Sequence, residues 1–547
     1  MVKKVGILIG FISVITSPWT TYDPINPLKF ALLGICGISC LAYMVLNRKT
    51  IGVDRVLSTL SIIFLLQALN SMFFSGSSLT SSFFGHYGRN FGFFTWLMLF
   101  AIMIYLSSTE KSEFVLRVLF LVGGVSFIYS ILQYFGKDPA PWDNNFDSVV
   151  GFLGNPNFQS SFLGLFYIAI FGNILKRIRS VKHLLLYLPG ALGTVFIISV
   201  SNSIQGIFVA VVGTATYVLY FLLARKLYKS FWTLVVGSGA LITLFTAATV
   251  GVGPLAIYLH KGTLAVRGDY WLAAVAMAKN NWFTGVGPDQ YGTWYRFYRE
   301  RESLSRINAN LTSDSAHNGY LDFAANLGIL ALVMYLVILV YALFVIGRFI
   351  KSQNGIDYTH ASLVALFVGF QSQFLISPNQ IGLVIWGWVF LGMIFGYTKI
   401  DNALETKTPK SHRSIKSGLV IVDRYTTTAS LLLGTVIGIM ISAPIVYSSM
   451  QFRSALVKAD ALQVIKAANI WPRNEAILDY STTILFSNNL QEQGYELAKS
   501  GIEQFPNSYE LLLNTMNYKW IKEDEKRFIQ MQLHRLDPLN PKWQPNN

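Results

Sequence analysis

Long apolar runs separated by short polar stretches dominate this chain. Stretches near the twenty or so residues that a helix needs to cross a bilayer recur at 28–46, 52–74, 90–107, 113–135, 158–176, 184–201, 204–223, 231–252, 317–347, 360–377, 380–397 and 426–449, with a shorter one at 5–17. The pattern predicts an all-α polytopic membrane protein with about thirteen transmembrane helices. Four regions follow: an N-terminal bundle over 1–252, a large loop over 253–316, further spans over 317–449 with a basic loop at 398–425, and a tail over 450–547. In the large loop Arg267, Trp271, Val275, Ala278 and Trp282 recur every three or four residues. That spacing predicts one face of a helix lying on the membrane surface. In the tail, Pro472, Pro506 and Pro538 stand 34 and 32 residues apart. A period near 34 in helical sequence predicts tetratricopeptide-like helix pairs, with Gly494 and Ala498 at a close crossing; an unrelated helical tail is the alternative.

Composition agrees with the pattern. The chain of 547 residues is 53% hydrophobic and only 13% charged, against about 25% charged in soluble domains. The formal charge of +15 is a matter of topology. With the N-terminus cytoplasmic, NRKT, EKSEFVLR, KRIRSVKH, ARKLYK, GRFIK and KTPKSHRSIK fall on one side, as the positive-inside rule requires. Residues 253–316 and the tail then lie outside. The basic loops suit anionic lipid head groups, and nucleic acid is a poor partner for them. Lys3 and Lys4 precede the first run and no small-residue cleavage site follows it, so that run reads as a span. Cys36 and Cys40, four apart in an apolar helix, read as small interior residues more readily than as a metal or redox pair.

Polar residues at the outer ends of spans are the candidate chemistry. Ser313, Asp314 and Ser315 are suited to cap a helix. Its positive end attracts anions and disfavours an imidazolium, so His317 would stay neutral and able to take a proton from a hydroxyl. Asn318 and Asp322 follow on the same helix. Asn155 and Asn157, in GFLGNPN, form a turn that could bond sugar hydroxyls. Arg267 in AVRGDYW and Arg89 in GHYGRNFGFF stand at the same face and suit phosphate. Arg296, Arg299, Arg301 and Arg306 add to the loop, so several arginines and a histidine converge where an anionic lipid-linked substrate would sit. His86, His183, His260, His360, His412 and His534 are scattered, most of them at loop positions without evident partners. No phosphate loop, dinucleotide fingerprint or zinc spacing appears, so no nucleotide, nicotinamide or metal cofactor is expected.

The ordered set GRNFG, LQYFGKDPAPW with GFLGNPN, RGDYWLAAVAMAKNNWFTGVGPDQY and HNGYLDFAANLGILAL resembles the O-antigen ligase and Wzy polymerase superfamily over about residues 1–400. The resemblance implies a GT-C-like glycosyltransferase of the bacterial plasma membrane, metal-independent. It implies an undecaprenyl-pyrophosphate-linked glycan as donor, and a glycolipid, glycan or protein hydroxyl as acceptor. It also implies that His317 activates the acceptor or assists at the pyrophosphate and that Arg267 binds the pyrophosphate. Asn318 and the Asn155–Asn157 turn match less defined site positions. Where many relatives carry an arginine at the outer start of a middle span, this chain reads SNSIQGIF; Gln205 stands there without charge, and Arg89 or a loop arginine would have to compensate. Direct displacement by the acceptor would invert the anomeric centre. A polymerase or protein transferase of the same superfamily is the nearest alternative. A transporter or flippase suits the sequence less, since charge deep in the spans is sparse and no inverted repeat is evident, and a non-catalytic scaffold built on the tail is more remote.

Overall fold

A computed structural model describes residues 1–49, 51–109, 112–140, 146, 148–306, 310–404 and 416–544. Residues 405–415 of the expected basic loop, His412 among them, lie outside the described residues. Among the described residues the chain is helical and has no strand. Eleven helices are long and apolar enough to cross a membrane, from Asn26–Leu46 to Arg424–Val457. Two of the thirteen expected spans fall short of that length: Val2–Val14 has 13 residues and Phe93–Ser107 has 15. The last apolar helix runs unbroken over Lys416–Val457, beyond the expected end of the span at 449.

The helices start where their sequences supply caps. Asp54, Asn155, Ser203 and Asp357 each accept a hydrogen bond from a first-turn N–H, which satisfies a donor that the helix itself cannot. Contacts sort the helix ends into two groups. At one end of the bundle Gln205 Nε2 donates to the Ile376 carbonyl at 3.4 Å, Tyr320 OH donates to Gln371 Oε1 at 2.7 Å, and Tyr87 OH meets Ser449 Oγ at 2.8 Å. At the other end Lys176 Nζ donates to Thr359 Oγ1 at 3.2 Å and Tyr341 OH donates to Asp54 Oδ2 at 3.1 Å. Lys176, Arg177, Arg348 and Lys351 gather at this second end.

The expected 317–347 span is two helices, Gly319–Leu327 and Ile329–Ser352. Gly328 breaks them at φ +85°, and a Cβ there would lie 2.5 Å from the Phe283 carbonyl oxygen. Only glycine fits that turn. The carbonyls freed at the break are satisfied by protein, as the low dielectric demands. Val286 N–H donates to Ala325 O, Gly287 N–H and Ser71 Oγ donate to Asn326 O, and Gln67 Nε2 donates to Leu327 O.

Charge does enter a span. Lys29 is fully buried in the Asn26–Leu46 helix. Its Nζ donates to the carbonyls of Ile12, Ser13 and Ile15 at 3.2, 3.2 and 2.8 Å, capping the C-terminus of Val2–Val14. Cys36 and Cys40 are buried free thiols of the same helix.

In the large loop the Gly262–Asn280 helix is present, but the expected stripe does not share one environment. Val275 and Trp282 are exposed, whereas Trp271 and Ala278 are buried. The stripe that packs inward is Val266, Tyr270, Ala273, Ala274 and Met277. The tail forms Ala461–Ala468, Glu475–Ser487, Gln491–Gln504, Tyr509–Met516 and Glu523–Leu536. Gly494 lies at the expected close crossing, where a Cβ would meet the Phe486 ring at 3.2 Å.

The tail is clamped to the loop. Arg299 Nη2 donates to both carboxylate oxygens of Asp537, at 2.7 and 2.9 Å, with both side chains buried. Arg296 Nη2 pairs with Glu510 Oε1 at 2.9 Å, and its guanidinium lies 4.2 Å from the centre of the Tyr509 ring. Arg306 pairs with Asp269 at 2.7 Å. These three arginines therefore do not add free positive charge at the expected anion-binding face. Their charge is met by carboxylates, two of which, Glu510 and Asp537, fasten loop to tail, while Asp269 ties Arg306 within the loop.

Candidate functional site

The Gly319–Leu327 helix carries the candidate histidine at its mouth. Its cap is Asn318, not Ser313–Ser315: Asn318 Oδ1 accepts from Tyr320 and Leu321 N–H at 3.1 and 3.2 Å. Asparagine wins here because its side chain reaches the N2 and N3 amides while its backbone stays extended. Asn318 is buried and committed to that role. Ser313 and Ser315 instead shape the preceding turn, with Ser313 Oγ donating to Ser315 O at 2.7 Å and Ser315 Oγ accepting from His317 N–H at 3.2 Å. The turn places His317 at φ +52°, a left-handed conformation uncommon outside glycine.

The His317 ring stacks on Tyr270, centroids 5.3 Å apart. Its Nδ1 is buried and makes no hydrogen bond. Burial pushes its pKa down to about 4; Asp314 opposes this, and Arg267 and Arg89 reinforce it. The imidazole is thus neutral at physiological pH, as expected. The main cause is desolvation with two nearby cations, where the helix end alone was expected to act.

Arg267 stands one helical turn before Tyr270, on the face that meets His317. It is partly buried and, among the described residues, has no carboxylate partner. Burial lowers its pKa, the direction expected for an uncompensated cation, with Tyr270 opposing. Arg89 differs. Its Nε lies 3.3 Å from Asp289 and its Nη1 3.2 Å from Asp314. Burial works against its charge, but Asp314, Asp289 and Asp322 outweigh that and raise its pKa. Two carboxylates already hold Arg89, which makes it a strut behind the His317 turn. Asp289 in turn accepts from His86 and Phe91 N–H at 2.8 and 3.0 Å. Asn90 and Asp289, beside Arg89, are left-handed like His317.

Asp322 does not pair with the Asn318 side chain. Its Oδ1 accepts from Ala316 N–H at 2.8 Å, and its buried Oδ2 has no protein partner. Burial raises its pKa to about 7 against the pull of Arg89 and the Ala316 amide. With Arg89, Asp289, Asn326 and Asn379 it lines a cavity of 10 Å³, about enough for one water.

The remaining candidates form a second group. Asn155 Oδ1 accepts from Asn157 N–H at 2.9 Å. Asn157 Oδ1 accepts from Ser203 Oγ at 2.8 Å. Gln205, fully buried, accepts from Ser161 Oγ and donates to Ile376 O, both at 3.4 Å. Among the described residues no hydrogen bond joins this group to His317. The link runs through the Tyr358–Ile376 helix, whose Phe374 packs on Tyr320 and Phe323. Other histidines thought unpartnered do have partners: His183 contacts Arg177 and Ser180, His260 Nδ1 meets Thr249 O, and His360 Nδ1 meets Tyr220 OH at 3.0 Å. Among the described residues no group of three or more His, Cys, Asp or Glu side chains is placed to hold a metal ion.

Sequence reasoning missed Tyr270 and Asp289, and read Asp314 as a helix cap where it pairs with Arg89. Tyr270 follows Arg267 by three residues, a spacing that shares a helix face and could have flagged it. Nothing local ties Asp289 to Arg89, 200 residues away.

Residues 159–336 match the model of the O-antigen ligase family (Wzy_C). The match bears out the resemblance to the O-antigen ligase and Wzy polymerase superfamily read from the motifs. It covers less than half of the chain. It takes in Gln205, Arg267, His317 and Asn318 and leaves out Arg89, Asn155, Asn157 and the tail. No curated protein matches the chain.

Proposed function

We propose that this O-antigen ligase-like membrane protein is a glycosyltransferase of GT-C-like architecture. It would move a glycan from undecaprenyl pyrophosphate to an acceptor hydroxyl at the end of the bundle where the Gly319–Leu327 helix begins. One observation carries the proposal: among the described residues, a neutral imidazole whose Nδ1 makes no hydrogen bond stands beside an arginine with no carboxylate partner. His317 takes the acceptor proton as the oxygen attacks the anomeric carbon. The bond from that carbon to the pyrophosphate oxygen breaks, and undecaprenyl pyrophosphate departs with the electron pair. Arg267 meets the charge that develops on the leaving group, where a fixed cation is worth most. Arg89 holds the His317 turn through Asp314 and Asp289. Attack from the face opposite the leaving group inverts the anomeric centre.

The basic helix ends, which gather opposite His317, support a cytoplasmic N-terminus and an extracytoplasmic site in a bacterial plasma membrane. The tail, read as tetratricopeptide-like, sits against the loop that carries Arg267 and is suited to select the acceptor.

The test is transfer from an undecaprenyl-pyrophosphate glycan by the protein in liposomes. Wild type should release undecaprenyl pyrophosphate. His317→Ala and Arg267→Ala should each lose at least about 100-fold, the scale of a lost proton acceptor or charge stabiliser. Folded variants that keep full activity would sink the assignment. Product analysis separates readings within the superfamily. Lengthened lipid-linked chains mean a polymerase, and glycan on a different acceptor means a ligase or protein transferase.

A further inference from the structure

At the basic end of the bundle the Glu113–Tyr134, Pro156–Lys176, Val181–Val200 and Tyr358–Ile376 helices enclose a cavity of 360 Å³. That is the size of a small-molecule site. The 21 residues of Pro156–Lys176 span about 30 Å, so the cavity is a membrane's thickness away from the Asn155 end and cannot serve glycan transfer.

Its chemistry is divided. The rim carries Arg117, Lys176, Arg177 and His183, and a single acid, Glu113. Arg117 lies 3.5 Å from Glu113 on an exposed turn, so these two largely cancel. Among the described residues Lys176 and Arg177 have no acidic partner. Lys176 Nζ donates to Thr359 Oγ1 at 3.2 Å, and the Arg177 guanidinium meets His183 Nε2, whose Nδ1 contacts Ser180 Oγ at 3.1 Å. Two cations are thus held in place by neutral groups, which leaves their charge unspent. Below the rim the walls turn apolar, with Phe120, Tyr187 and Leu366, and Phe120 sits edge-on to Tyr187 at 5.8 Å. A phosphate above and a hydrocarbon chain below would match this division. The position matches too, since the rim lies at the ends of apolar spans, where head groups lie. Basic pockets between spans at such a level are suited to anionic phospholipids.

We propose that this cavity is a binding site for an anionic phospholipid, its phosphate held by Lys176 and Arg177 and an acyl chain along Phe120 and Leu366. It is independent of the reaction assigned to the opposite end.

Native mass spectrometry of the full chain in detergent tests this, with phosphatidylglycerol, phosphatidylcholine and inorganic phosphate as probes. Wild type should keep phosphatidylglycerol at least ten-fold better than phosphatidylcholine. The Lys176→Gln/Arg177→Gln variant should lose that preference. Arg179→Gln/Lys182→Gln, which removes the same charge outside the cavity, should retain it. Equal retention of both lipids by wild type overturns the proposal, as does equal loss in both double variants, which would mean diffuse surface charge. Inorganic phosphate displacing the lipid at equal concentration also overturns it, making the site one for free phosphate. Should Lys176→Gln/Arg177→Gln not fold, photo-crosslinking of an acyl-labelled phosphatidylglycerol to wild type decides. Adducts should map to 113–120, 172–187 and 358–366, and adducts confined elsewhere overturn the proposal.

Discussion

Replacing Asp537 by alanine should release the tail from the large loop. Asp537 and Arg299 are 0% and 1% exposed at their side chains, joined by two hydrogen bonds of 2.7 and 2.9 Å. The substitution leaves a buried guanidinium without its carboxylate, with Leu311 O at 3.2 Å from Nη1 among the groups still in reach. Breaking a buried pair from one side costs about 3–5 kcal/mol, whereas replacing both partners by apolar groups is often close to neutral. At about 1.4 kcal/mol per factor of ten, local opening of the docked tail should become roughly 100- to 4000-fold more frequent. Hydrogen exchange of amides in Glu523–Leu536 reads that opening directly. The Arg299→Leu/Asp537→Leu double variant should recover most of the protection, because it removes the stranded charge. If exchange in Asp537→Ala rises less than about ten-fold, the pair is hydrated and the clamp is not what fastens the tail.

Other outcomes follow from the site. If His317 acts as base, transfer should stay flat from pH 8 down to about 5.5 and fall only as pH nears its lowered pKa of about 4; half-loss near 6.5, the ordinary histidine value, would contradict the burial argument. Tyr270→Leu removes the ring on which His317 stacks and should lower turnover roughly two- to ten-fold, the worth of one aromatic contact, with little change in donor affinity. Gly328→Ala forces a side chain into φ +85° against the Phe283 carbonyl and should cost more than about 1 kcal/mol, visible as a lower melting temperature; an unchanged melt would deny the strained break. Arg89→Met should unfold the His317 turn or abolish transfer while leaving Asp289 and Asp314 unpaired, and full activity in a folded variant would remove the strut role.

Much of the helical layout was readable because a span needs only length and apolarity, and both are local. The break at Gly328 was not, since GILALVMY continues the apolar run and the turn is imposed by the Phe283 carbonyl from a distant loop. His317 and Arg267 emerged from their motifs and from helix-end chemistry. The roles of Arg296 and Arg299 could not, because an arginine's charge counts only after its partner is known, and Glu510 and Asp537 lie more than 200 residues away. Asn318 illustrates a smaller failure. Three capping residues compete just before it, and the choice among them depends on where the backbone turns.

The glycine that interrupts the 319–352 stretch has a consequence for how the enzyme meets different membranes. A continuous span tilts or shifts when the hydrocarbon thickens or thins, and a residue fixed to its end would ride with it. Here the short helix behind His317 hangs from the 282–287 loop and from Gln67 and Ser71, while Ile329–Ser352 is held to the bundle by contacts of its own, Tyr335 OH on Gln371 and Tyr341 OH on Asp54. The height of the imidazole is thereby set by protein contacts, and its register with Arg267 is insulated from bilayer thickness.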